Sequence, residues 1–78
     1  MRSLDVPRIR RRLGANMREL RLAAKLTQLQ ASERAGLDIR HFQKIETAAT
    51  NPTLTSIARV AFGLDVDISA LFKLARPR

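Results

Sequence analysis

Within GLDIRHFQKIE, residues 36–46, Arg40, Gln43 and Lys44 are hydrogen-bond donors spaced three and four residues apart. On a helix that spacing puts them on one side. Phe42 and Ile45, with Leu37 ahead of them, form the apolar stripe that would pin the helix to a core. Ile39, Arg40, Gln43 and Lys44 then turn outward, and the single glutamate of the segment, Glu46, comes only at its end. A face of basic and amide groups suits an acidic partner. Other chemistry is poorly supplied. With no cysteine there is neither a disulfide nor a thiolate metal site. Asp38 and His41 stand three apart, but two ligands make a poor metal site, and capping a helix is the better role for Asp38. No nucleophile–base pair or metal set can be assembled, which leaves an enzyme as the least supported class. No cofactor or small-molecule ligand is expected.

The charge points the same way. Fifteen Lys and Arg against seven Asp and Glu give a net +8 and a pI near 11.7. Residues 1–25 hold eight basic and two acidic groups, a net +6, whereas residues 26–78 hold seven and five, a net +2. Such an excess favours polyanions, either nucleic acid or anionic lipid, although a solvated basic surface has the same composition. Three Phe with neither Tyr nor Trp make a poor base-stacking platform for single strands or RNA. The 78 residues suffice for one small domain. Nothing reaches the length of a membrane span, and the basic N-terminus has no apolar segment of a secretory signal behind it. The expectation is a cytoplasmic protein with no membrane partner.

The elements that must hold the donor face read as all-α. A first helix is expected from near Pro7 to about Ala24, with Ile9, Leu13, Met17 and Leu20 on one face and Gly14 and Asn16 weakening it slightly. Thr27 caps a second, Gln28 to Ala35, which Gly36 stops. Asp38 caps a third that runs to about Glu46. Only Gly36, Leu37 and Asp38 join the two, the short turn of a helix-turn-helix. After the TAATNP loop, Thr53 caps a fourth helix with Leu54, Ile57, Val60, Ala61 and Leu64 inward. Asp67 caps a short fifth, Ile68 to about Leu74.

LTQLQASERAGLDIRHFQKIE followed by NPTLTSIARVAFGLDVDISALF resembles the Cro/lambda-repressor-like, Xre-type helix-turn-helix domain. The likeness covers Leu13 to Phe72. It rests on Leu26-Thr27-Gln28, Ala35-Gly36, Ile45-Glu46 and Asn51-Pro52 with Leu54, in that order and spacing. Leu29, Ala31, Lys25, Ala48 and Asp65 depart from the usual pattern, the last three standing where glycine is frequent. The resemblance implies a compact five-helix domain over residues 13–74, with residues 1–12 an arm or helix extension and residues 75–78 a frayed tail. It also implies that the third helix enters the major groove. Arg40 would pair with guanine O6 and N7, Gln43 with adenine N6 and N7, Lys44 with guanine or a phosphate, and Ile39 with a thymine methyl. Gln28, with Ser32 as a weaker candidate, would bind phosphate, and Arg21 and Glu46 would form an ion pair joining the first and third helices. His41 is a phosphate contact or a bystander. Arg10 and Arg11, within the cluster Arg8, Arg10, Arg11 and Arg12, could follow the backbone or enter a minor groove. A solvated surface is the competing reading for the polar contacts, and cover of the helix-turn-helix core is that for Ile39.

A single reading helix touches few base pairs, so a homodimer on a palindromic operator is expected. Phe62, Leu71, Phe72 and Leu74 are its candidate interface, the competing reading being that Phe62, Leu71 and Phe72 complete a small core. The function implied is a transcriptional regulator of double-stranded DNA, similar in length and layout to the controllers of restriction–modification systems. A small phage-type repressor or an antitoxin with a protein partner is the alternative. A helix lying on anionic lipid would account for the first helix but not for Thr27-Gln28, Gly36 and Pro52.

Overall fold

The computed structural model describes residues 4–74, so the expected frayed tail 75–78 and the first three residues of the expected arm lie outside it. Four α-helices, α1 Val6–Ala23, α2 Gln28–Ala35, α3 Ile39–Glu46 and α4 Leu54–Leu64, are followed by a 3-10 helix, Ile68–Phe72. No strand occurs among the described residues. The fold is all-α.

Each helix begins on a side chain that accepts a backbone N–H left free by the first turn. Asp5 accepts from the Arg8 amide at 3.0 Å, Asp38 from Arg40 at 3.0 Å and Thr53 from Ser56 at 3.1 Å. Thr27 and Gln30 make a reciprocal pair at the head of α2. The Thr27 hydroxyl accepts from the Gln30 amide at 3.1 Å, and the Gln30 side chain accepts from the Thr27 amide at 2.9 Å. Gly36 ends α2 at φ 67°, in the left-handed region, and the next amide, that of Leu37, returns to the Ser32 carbonyl at 3.0 Å. The steep turn into α3 is thus fixed by backbone geometry.

Leu13, Met17, Leu26, Ala31, Phe42, Ile45, Val60, Ala61, Leu64 and Leu71 form the core. Full burial of a side chain such as Phe42, Met17 or Ile45 contributes about 1.5–3 kcal/mol. Gly14, read from the sequence as a weak point of α1, is what allows α1 to lie against the end of α3. A methyl there would overlap the Glu46 carbonyl.

Several elements differ from the sequence expectation. α1 itself starts at Val6, next to the expected start near Pro7, with Asp5 as its cap, and runs unbroken through residues 6–12. Its first turns reach beyond the core, leaving Ile9 40% exposed rather than inward. On α4 the inward stripe begins at Ile57. Leu54, one turn earlier, has nothing packed over it and is 74% exposed. The fifth helix is a 3-10 helix that stops at Phe72. Asn16 Nδ2 donates to the carbonyls of Leu71 at 2.9 Å and Lys73 at 2.8 Å, tying the chain to α1 at that point. Lys25, Ala48 and Asp65, the three positions where the family resemblance leads one to expect glycine, all have positive φ, at 59°, 62° and 56°. A side chain in that conformation costs roughly 1–2 kcal/mol, less for Asp.

Candidate nucleic-acid interface

α3 is held from behind by Phe42 and Ile45, both buried, and presents Arg40, Gln43 and Lys44 exposed, with Ile39 half-buried at its first turn. Behind this face runs a chain of four side chains. Arg21 of α1 donates Nε to Glu46 Oε1 at 2.9 Å and Nη1 to the Leu26 carbonyl at 2.9 Å. Glu46 Oε2 accepts from Gln28 Nε2 at 2.8 Å, and Gln28 Oε1 accepts from Gln43 Nε2 at 3.0 Å. Arg21 and Glu46 are both buried, and burial of their charges is tolerable because each is paired and further hydrogen-bonded. The contact is therefore continuous from the core, through the head of α2, to an exposed amide on α3.

The other sequence candidates are placed unevenly. Gln28 sits half-buried at the first position of α2, beside the open amides of that helix N-terminus. Ser32 is 1% exposed, and its hydroxyl donates to the Leu29 carbonyl at 2.8 Å. It faces inward because Ala31, Ser32 and Ala35 form the buried side of α2, so a phosphate cannot reach it. His41 is half-buried, with Nε2 3.1 Å from the Ser56 hydroxyl, and links α3 to the start of α4. The arginine cluster divides by helical phase. Arg8, Arg11 and Arg12 line a shallow cleft with Asn16, Lys73 and Leu74. Arg10 falls on the side of Leu13, Gly14 and Met17, half-buried, and its Nε has no hydrogen-bond partner. Arg10 and Arg11 thus do not act as one group.

The proposed contact surface for a second subunit also divides. Phe62 is 80% exposed and Leu74 68% exposed, with Phe72 less so. Leu71 is fully buried, so it belongs to the core and not to an interface. The bonds from Asn16 hold the backbone of this segment against α1, with Leu71 inward and Phe72 and Leu74 on the surface. Next to Phe62 lie Arg34, Asp65 and Asp67. The Ser69 hydroxyl, and then the Ser69 amide, hold the Asp67 carboxyl below its ordinary pKa.

Residues 12–71, the span that contains the chain from Arg21 through Glu46 and Gln28 to Gln43, match the sequence model of the family described as "Helix-turn-helix domain". The chain belongs to that family. Over 59 residues it is 34% identical to the immunity repressor protein of Bacillus phage phi105; the match takes in 76% of this chain, which spans only 41% of that protein's length. The fold is similar to the restriction–modification controller protein C.AhdI from Aeromonas hydrophila, with a TM-score of 0.78 and 32% identity over 81% of this chain and 96% of that one. It is also similar to the hypothetical transcription factor NHTF from Neisseria, with a TM-score of 0.81 and 26% identity over 94% and 84% of the two chains. The Xre-type resemblance read from Thr27-Gln28, Gly36 and Ile45-Glu46 agrees with these matches.

Two features of this helix-turn-helix domain have no counterpart in the sequence reading. The Gln28–Gln43 bond joins residues 15 apart in the chain, and no local spacing announces it. Asn16 carried a faint signal, an amide inside a helix with low propensity for it, which here marks the latch to the C-terminal segment. No helix among the described residues is long and apolar enough to cross a membrane, and no group of three potential metal ligands occurs among them.

Proposed function

We propose that the chain is a transcriptional regulator that binds double-stranded DNA sequence-specifically, as a homodimer on a palindromic operator. The outward face of α3 carries this reading. Arg40, Gln43 and Lys44 are exposed donors on a helix whose back is locked into the core, the requirement for reading base edges at fixed positions. Ile39, half-buried at the first turn, supplies an apolar contact for a thymine methyl. Gln28 and the N-terminus of α2 bind the adjacent phosphates, and Arg11 adds a cation. Arg10 and His41, both half-buried, are secondary phosphate candidates. Phe62, Phe72 and Leu74 supply the apolar surface for the second subunit. A controller of a restriction–modification system is the favoured biological role, supported by the 32% identity and TM-score of 0.78 to C.AhdI; a phage-type repressor is the second reading, supported by the 34% identity to the phi105 immunity repressor.

Fluorescence anisotropy tests the class of partner. A labelled duplex should bind, and log K should fall with log salt by about 0.9 per phosphate neutralised. Matching single strands should bind more weakly. A response to anionic vesicles without one to duplex would replace DNA by a lipid surface.

A further inference from the structure

We propose that Glu46 is a positioning residue for base recognition. Through Gln28 it fixes which atoms of the Gln43 amide face outward. This rests on the reading of α3 as the groove helix and adds to it a cause for the preference at one base pair.

The argument follows from which groups can donate. Arg21 has only donors, and the Glu46 carboxylate has only acceptors. Glu46 Oε1 is taken by Arg21, and Oε2, 2.8 Å from the Gln28 amide, can be satisfied only by an N–H. Gln28 must therefore turn its NH2 to Glu46 and its oxygen to Gln43. Gln43 in turn gives one N–H to that oxygen, at 3.0 Å, and keeps its own oxygen and one N–H for the outside. One acceptor beside one donor matches adenine, which offers the N6 donor and the N7 acceptor in the major groove. Guanine offers two acceptors, O6 and N7, and its O6 would meet the Gln43 oxygen. A carboxylate in the core thereby selects the base read at the surface.

Replacing the carboxylate by an amide of the same shape should reverse the whole chain. In Glu46→Gln, Arg21 still needs an acceptor, so the new amide oxygen faces Arg21 and its NH2 faces Gln28. Gln28 then turns its oxygen toward residue 46 and its NH2 toward Gln43. Gln43 accepts that bond and presents two N–H groups outward, the pattern that guanine accepts. A loss of packing or stability alone would weaken every sequence and would not exchange one base for another.

The experiment measures binding to the preferred duplex and to every single-base-pair variant of it, for wild type, Gln43→Ala, Glu46→Gln and Gln28→Leu. Gln43→Ala identifies the base pair that Gln43 reads. At that pair alone, wild type should favour adenine over guanine by roughly tenfold. Glu46→Gln should lose or invert that ratio, and Gln28→Leu should reduce it severalfold. Gln28→Leu leaves the Arg21–Glu46 pair intact, so it decides the matter even if Glu46→Gln does not fold. If Gln43→Ala alters no position, Gln43 reads no base and this proposal is overturned, while the groove reading of α3 is decided by Arg40→Ala on the same duplexes. If Gln43→Ala alters one position and neither Gln28→Leu nor a folded Glu46→Gln changes the adenine-to-guanine ratio there, the proposal alone is overturned.

Discussion

The α2–α3 pair and the outer surfaces of α1 and the C-terminal segment both expose functional chemistry, but they hold it in opposite ways. On α3 the exposed Gln43 is tied by successive hydrogen bonds to a buried ion pair, and both helices of the turn are capped at their heads. On α1, Arg8, Arg11 and Arg12 line an open cleft, and no ion pair other than Arg21–Glu46 forms among the described residues. Phe62 and Leu74 are similarly uncovered. Reading bases needs donors at fixed positions, so their side-chain entropy is best removed before binding. A phosphate contact or an apolar contact tolerates adjustment and gains little from such fixing. The difference separates a surface that would select its partner from surfaces that would strengthen the attachment.

The comparison breaks most severely at the buried pair. Arg21→Ala leaves Glu46 charged and buried without its cation, and should cost about 3–5 kcal/mol in urea unfolding. That is a large part of the stability of a domain this small. A cost below about 1 kcal/mol would mean that the ion pair does not fasten α3.

Phe62→Glu examines the open side. The side chain is exposed in the single subunit, so stability should change by no more than about 0.5 kcal/mol. Sedimentation should then show a folded monomer, with operator binding weaker by more than about 2 kcal/mol. A variant that remains dimeric removes Phe62 from the contact.

Arg40→Ala and Arg11→Ala sharpen the contrast between fixed and open donors. The first should cost about 1–3 kcal/mol and relax preference at one base pair, whereas the second should weaken all duplexes alike and lower the salt slope by about one. Equal, sequence-independent losses from both would erase the distinction. The smallest effect is expected beside α3, where Ala48 has φ 62°. Ala48→Gly removes the steric cost of that conformation, offset in part by the greater freedom of glycine when unfolded, and should stabilise by about 1 kcal/mol in the same urea assay without altering base preference.

Much of the fold was legible because local signals agreed with one another. Thr27, Asp38, Thr53 and Asp67 mark helix starts by their own hydrogen-bonding chemistry, and Gly36 marks a backbone conformation that few other residues accept. Apolar spacing located the inward faces of α3 and most of α4. It failed at Ile9 and Leu54, because periodicity states which side of a helix is apolar but not where the neighbouring helices end. Leu71 could be read from spacing either as core or as interface, and its burial assigns it to the core. The outward position of Arg40, Gln43 and Lys44 followed from Phe42 and Ile45. Their coupling to the core did not, because it runs through residues brought together only by packing. Ser32 shows the same limit, for its polar character gave no warning of its place on the buried side of α2.

Selection from a pool of random duplexes tests the central claim most directly. If α3 reads the major groove from two subunits, the purified protein should enrich a two-fold-symmetric sequence with half-sites about 34 Å apart. Recovery of sequences no different from the starting pool, at a salt concentration where the protein still binds duplex, would contradict it.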